Sequence, residues 1–194
     1  MANFDLAFEK TMGAEGGYTN DLTDRGGETY KGVSRRYHPD WEGWIIIDDL
    51  KTKPNFPKNL ESNSDLQALI RRFYKENYWN INKLDLFSDQ AVAEEMFDTG
   101  VNMGTKRAAT YLQTALNCLN KQQVLYGDID EDGKIGSATI YVMNTLLSKE
   151  SSELLLKIMN VLQGNHYIEY MRQYPEQEKF ARGWFQRVEF IKHK

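Results

Sequence analysis

Apolar positions recur at Phe4, Phe8 and Met12, the spacing of one helix face, and predict a helix over residues 3–15 with Asn3 as its N-cap. At about 100° per residue, Glu15 falls within roughly 20° of Phe4 on that face. The glycine pairs Gly16-Gly17 and Gly26-Gly27 then switch the pattern to turns and short strands, Tyr18 to Thr23 and Glu28 to Val33. Residues 35–63 have no regular period, and Lys53-Pro54-Asn55-Phe56-Pro57 reads as a loop because two prolines do not fit inside a helix. Helical periodicity returns at Ser64, with Leu66, Leu69, Ile70 and Phe73 as a core stripe running to about Asn80. Ser88 reads as the cap of a further helix with Val92, Met96 and Val101 inside. An amphipathic helix over 105–121 buries Ala108, Leu112, Ala115, Leu116 and Leu119. Helices follow over Ser137–Leu147, over 151–174 with Leu155, Ile158, Leu162 and Ile168 near one face, and over 176–194 with Phe180, Trp184, Val188 and Ile191. The expected fold is mainly α, with a small β-hairpin after the first helix.

The first helix and hairpin concentrate the chemistry. An acid on an apolar stripe is partly desolvated, and the negative end of a helix dipole lies beside it; both raise the pKa of Glu15. A carboxylic acid still protonated near neutral pH can protonate a glycosidic oxygen. A glycine-flanked hairpin can place Asp24 and Thr29 across a cleft from that acid. A second carboxylate there activates water or stabilises an oxocarbenium-like charge, and a threonine hydroxyl orients the water. The plainer roles are a surface glutamate at a helix end, a turn aspartate and a strand-forming threonine.

The motifs EGGY at 15–18, DRGGETYKGVS at 24–34 and FDTGVNMG at 97–104 resemble glycoside hydrolase family 108, whose members are muramidase-like proteins, also described as secretion activator or prophage endolysin proteins. The resemblance implies a mainly α, lysozyme-like fold and Glu15 as the catalytic acid. It extends through GDIDEDGKIGSATI at 127–140 and GWFQRV at 183–188, which look like the family's C-terminal peptidoglycan-binding part, so it covers nearly the whole chain. Phage-type lysozymes offer a more distant similarity: Glu15, Asp24 and Thr29 repeat their acid–acid–threonine order and Gly32-Val33 follow. The Asp-to-Thr gap is four residues here rather than five, which leaves Asp21 as an alternative second acid, and Arg25 stands where family members more often have proline. The implied organisation is a hydrolase region over 1–95 and a peptidoglycan-binding region over 96–194, packed as one continuous body without a low-complexity linker.

Aromatic and amide side chains supply candidate substrate contacts: Tyr18, Tyr30, Tyr37, Trp41 and Asn102. Tyr37 and Trp41 sit with Arg35, Arg36, His38 and Trp44 in an aromatic-basic patch, where rings can stack on sugars and arginines can meet wall carboxylates. Packing onto the core is the plainer role of the two tryptophans. Glu94, Glu95, Asp98 and Asn102 are spaced to line a cleft or form a solvated helix face.

Composition narrows the partners. The chain has 194 residues, 41% of them hydrophobic, enough for a main domain plus an annex. A net charge of −4 argues against nucleic acid as the main ligand. The single cysteine, Cys118, excludes an internal disulfide and reads as a buried thiol. Three scattered histidines show no zinc-ligand spacing. Asp128-Ile129-Asp130-Glu131-Asp132-Gly133 begins like a calcium loop, but position twelve is Thr139 where a bidentate glutamate is needed, so a tight Asp-Gly turn is the better reading. No metal or organic cofactor is required. The N-terminus has no apolar core of signal-peptide length and no run is long enough to span a membrane. Synthesis in the cytoplasm and delivery to the cell wall by a holin or dedicated export machinery are therefore expected, with peptidoglycan glycan strands as the partner. The expected reaction is hydrolysis of the β-1,4 bond between N-acetylmuramic acid and N-acetylglucosamine. The rivals are a non-catalytic wall-binding or secretion-regulating protein and a related enzyme, a lytic transglycosylase or a chitosanase.

Overall fold

The computed structural model describes residues 1–12, 17–20 and 27–188. The chain divides into two compact units, Phe4–Trp79 and Asn80–Lys194, the latter with Met1–Asn3. Among the described residues it is mainly α, with eight α-helices and one small antiparallel sheet.

In the first unit, α1 (Phe4–Met12) starts directly after Asn3 and buries Phe4, Phe8 and Met12. Phe4 meets Phe8 at 5.5 Å and Trp79 at 5.6 Å between ring centroids, and Phe8 meets Tyr74 at 5.9 Å. Strands β1 (Tyr18–Asn20), β2 (Glu28–Tyr30) and β3 (Val33–Ser34) form a sheet in that order, so the hairpin expected from the sequence gains a third strand. Tyr18 pairs with Tyr30, Thr19 with Thr29, and Asn20 with Glu28. Tyr30 pairs with Val33, leaving Lys31 and Gly32 as a two-residue turn with φ of 42° and 79°. Two positive φ values mark the turn type whose twist matches a hairpin. The Tyr74 hydroxyl donates to the Lys31 carbonyl at 2.7 Å and ties this turn to α3 (Ser64–Tyr74). The Asn63 side chain caps α3 by accepting from the Leu66 amide at 2.8 Å. A π-helical turn over Lys75–Trp79 follows and buries Trp79 completely.

The stretch expected to be irregular contains a helix, α2 (Gly43–Lys51). Glycine and three consecutive isoleucines are weak helix formers, and the burial of Trp44 and Ile47, three residues apart, overrides that propensity. Gly43 is there because a Cβ at that position would stand 2.2 Å from the Trp41 ring. Gly43→Ala is expected to displace that ring and destabilise the unit by about 1–3 kcal/mol, the usual cost of overpacking. Denaturant titration followed by tryptophan fluorescence checks it, because Trp41 packs edge-on against Trp44 at 5.2 Å and the native spectrum should shift as well.

The second unit holds α4 (Gln90–Met103), α5 (Thr105–Cys118), α6 (Ser137–Leu147), α7 (Glu153–Gln173) and α8 (Ala181–Phe185). Helix α5 is central: α4, α6 and α7 pack against it, and α8 packs on α7. Gln113, fully inside on α5, organises the acidic loop. Its amide donates to Asp132 at 2.9 Å and to the Lys134 carbonyl at 3.1 Å, and its carbonyl accepts from the Gly133 amide at 2.8 Å. Asn120 and Gln123 donate to Asp128, and Thr114 and Asn117 to Glu131. The Asp-Gly turn thus closes on protein donors.

Several local expectations change. Asp89, not Ser88, caps α4 by accepting from the Val92 amide at 3.0 Å; the Ser88 hydroxyl donates instead to Asn144. Val101 and Leu119 are half-buried rather than core. Cys118, the last residue of α5, is exposed rather than buried. The buried face of α7 is Leu155, Met159, Asn160, Gln163, Gly164 and Tyr167, rotated from the aliphatic stripe, and Ile168 is exposed. The last helix is short, preceded by a 3-10 segment over Pro175–Phe180; Ile191 lies outside the described residues.

Candidate functional site

Glu15, Asp24 and its alternative Asp21 lie outside the described residues. What the structure places are the strands that flank them in sequence. Thr29 is the middle residue of β2, half-buried, paired with Thr19 on one side and Ser34 on the other, and its hydroxyl donates to the Gly27 carbonyl at 3.3 Å. Tyr18 is half-buried on β1, its ring edge-on to Phe56 at 4.7 Å and its hydroxyl donating to Glu28 at 3.1 Å. Burial, and then the charge of Glu28, push the Tyr18 hydroxyl above its ordinary pKa.

Tyr30 is a correction to the sequence reading. It has no exposed surface, and burial pushes its hydroxyl up to about 12. That hydroxyl accepts from Gln67 at 2.9 Å and donates to Glu61 at 3.4 Å. Its ring is sheet core and presents no face to a sugar. Tyr37 is 65% exposed and Trp41 half-buried, with its edge on Trp44 and Phe73. Trp44 is core, its indole donating to the His38 carbonyl at 2.8 Å. Asn102 is exposed near the end of α4 in the second unit, where its amide donates to the Asp98 carbonyl at 2.8 Å. Asp98 is held by Arg187 at 2.9 Å, Glu95 accepts from Thr99, and Glu94 accepts from Gln90.

Glu28 is the residue sequence reasoning missed. Its side chain, 13% exposed, accepts from Lys51 at 2.6 Å, from Arg35 at 3.0 Å and from Tyr18. Both cations also hold Asp48, so two acids and two bases clamp the sheet to α2. Burial raises the Glu28 carboxyl, but hydrogen bonds from Lys51 and Arg35 outweigh burial and hold it below its ordinary 4.5. It is therefore an ionised acceptor at neutral pH and not a proton donor. The signal was scattered: Arg35 is seven residues on, but Asp48 and Lys51 are twenty or more residues from Glu28, and only the helix at 43–51 brings them to it.

This network carries a pH dependence. Because the folded pKa of Glu28 is depressed, its stabilisation is fully present above about 4.5 and is lost as pH falls through the lower folded value. Lys51→Met removes the strongest partner and is expected to flatten that acid limb. Thermal unfolding from pH 7 to pH 3 checks it: the melting temperatures of wild type and variant should differ at pH 7 and converge at pH 3.

Residues 8–104 match the family model Glycosyl hydrolase 108, and residues 107–189 match a second model described as a predicted peptidoglycan domain. The first match takes in Glu15, Asp24, Thr29 and the whole of α4, although α4 belongs to the second compact unit. Among solved structures, the chain is similar to that of Brucella abortus SagA, with a TM-score of 0.58 and 21% identity over 95% of this chain and 88% of that one, a likeness of fold. No curated protein matches the chain. No helix among the described residues is long and apolar enough to cross a membrane.

Proposed function

The chain belongs to the glycosyl hydrolase 108 family, and on that footing we propose that it is an N-acetylmuramidase that cleaves the β-1,4 bond between N-acetylmuramic acid and N-acetylglucosamine in peptidoglycan. The observation that carries this reading is the pairing, in one chain, of a glycosyl hydrolase match over 8–104 with a peptidoglycan domain over 107–189. The division of labour is catalysis within residues 1–95 and wall binding within 96–194.

In the proposed reaction Glu15 donates its proton to the leaving glycosidic oxygen as the bond breaks. Asp24, or Asp21 in its place, activates water on the opposite face or stabilises the oxocarbenium-like charge. Thr29 orients that water; its hydroxyl has only a long 3.3 Å bond to Gly27, which a water can replace at little cost. Tyr18, Tyr37 and Trp41 supply ring surface near the strands. Glu28 stays ionised and holds the sheet in place. The chemistry needs no metal or organic cofactor. Delivery to the wall by a holin or export machinery fits a lysis or wall-remodelling role.

The test is digestion of purified peptidoglycan with mass analysis of the released muropeptides. Reducing N-acetylmuramic ends support the muramidase. Anhydromuramic ends move the protein to the lytic transglycosylases. No release, with the protein still pelleting with the wall, sinks the enzyme reading and leaves a wall-binding protein.

A further inference from the structure

The second unit contains an aromatic cavity of about 530 Å³, within the range of small-ligand sites. Its aromatic wall comes from the last two turns of α7, with Tyr174 at its C-cap, and from α8. Trp184 stacks on Tyr167 at 5.1 Å with 16° between planes, and Tyr170 bridges Trp184 at 6.0 Å and Tyr174 at 5.0 Å. Tyr170 and Tyr174 stay 38% and 40% exposed, so the wall is open to solvent. The polar side comes from Asn102 on α4, Arg107 on α5, and His166 and Gln173 on α7. Arg107 is exposed and donates to the Met103 carbonyl at 3.2 Å; no carboxylate pairs with it among the described residues. Burial, and then the charge of Arg107, lower the pKa of His166, which therefore sits neutral and can both donate and accept.

Unsatisfied polar atoms lie on the same helix as the aromatic wall. The Tyr167 hydroxyl, on a wall residue only 5% exposed, has no hydrogen-bond partner among the described residues, and neither do the two amide atoms of fully buried Gln163. The two lie four residues apart on α7, hence on one face.

We propose that this cavity binds the glycan strand of peptidoglycan, with pyranose faces against Trp184 and Tyr174 and the lactyl carboxylate of an N-acetylmuramic acid residue paired to Arg107. Flat amphipathic rings match the apolar face of a sugar while amides and a neutral imidazole match its hydroxyl and acetamido groups. A guanidinium with unused N–H groups matches a carboxylate bidentately. The inference rests on peptidoglycan being the target, and gives that target a site of its own on α4, α5, α7 and α8. It separates two sugars: N-acetylmuramic acid carries the carboxylate and N-acetylglucosamine does not.

The test is calorimetric titration of the full chain carrying Glu15→Gln, so that ligand is not consumed. Two probes are used: amidase-stripped glycan strands with free lactyl carboxylates, and the N-acetylglucosamine tetramer. Trp184→Ala is expected to weaken both by about tenfold or more, with circular dichroism confirming that it folds. Arg107→Gln, a change at an exposed side chain, is expected to weaken the lactyl-bearing strands about tenfold and leave the tetramer unchanged, since one charge-assisted pair is of that size. Equal loss for both probes in Arg107→Gln, or unchanged binding in both variants, overturns the proposal. So does a parent that binds neither probe, even if the wild type cleaves peptidoglycan. Binding as expected by a protein that releases no muropeptides would overturn the hydrolase reading and leave this site standing.

Discussion

Glu15→Gln is expected to slow release of reducing ends from peptidoglycan by about 10²–10⁴-fold, the usual contribution of a positioned general acid. Glutamine keeps the shape and hydrogen-bonding reach of glutamate but has no proton to give to the leaving oxygen. The loss should therefore fall on turnover and spare both the fold and the wall binding assigned to the second unit. Glu15→Asp, which keeps the acid but withdraws it by one methylene, should fall between the two. The readout is the initial rate of reducing-end release beside a pelleting assay with insoluble wall. A Glu15→Gln protein within threefold of wild type would place the acid elsewhere and end the proposed mechanism.

Gly32→Ala is expected to carry the largest effect on stability. A Cβ there would lie 2.4 Å from the Tyr74 hydroxyl oxygen, on a backbone with φ of 79° that disfavours any side chain. Left-handed strain and the clash together give a cost of roughly 2–4 kcal/mol. The clash also threatens the 2.7 Å bond from Tyr74 to the Lys31 carbonyl, which pins the turn between β2 and β3. Tyr74→Phe separates the two costs. It removes the atom that collides and leaves the strain, so Gly32→Ala should be less damaging in the Tyr74→Phe background than in wild type. Denaturant unfolding of the four proteins measures that coupling; additivity within about 0.5 kcal/mol would show that the hydroxyl is not the obstacle.

The helices legible in the sequence were those whose periodicity and punctuation agreed. Ser137–Leu147 has the bounds read from its pattern, and α1 buries Phe4, Phe8 and Met12 as their spacing requires. Helix α2 was hidden because Gly43 and the isoleucine run argue locally against a helix that only tertiary burial of Trp44 and Ile47 supports. The buried face of α7 was misplaced for a related reason: Asn160, Gln163 and Gly164 lie inside, and polar residues and glycine read as solvent positions. Tyr30 reads in the sequence as an aromatic candidate for substrate contact, yet it is fully buried. Its partners Gln67 and Glu61 stand more than thirty residues away, and sequence does not bring them together. The clamp on Glu28 was hidden because Asp48 and Lys51 come from that same unannounced helix α2, and the aromatic cavity because it draws on four helices.

The Gln113 side chain has a consequence for the medium in which this protein can hold its shape. A loop with Asp128, Asp130, Glu131 and Asp132 in five residues would ordinarily swell or collapse with the supply of divalent ions, since crowded carboxylates repel unless something neutralises them. Here one neutral amide reaches Asp132, Gly133 and Lys134 at once, while Asn117 and Asn120 take Glu131 and Asp128. These protons are covalently part of the chain, so they are present at a fixed stoichiometry whatever the solution contains. The acidic loop is therefore expected to keep one geometry across media of different hardness.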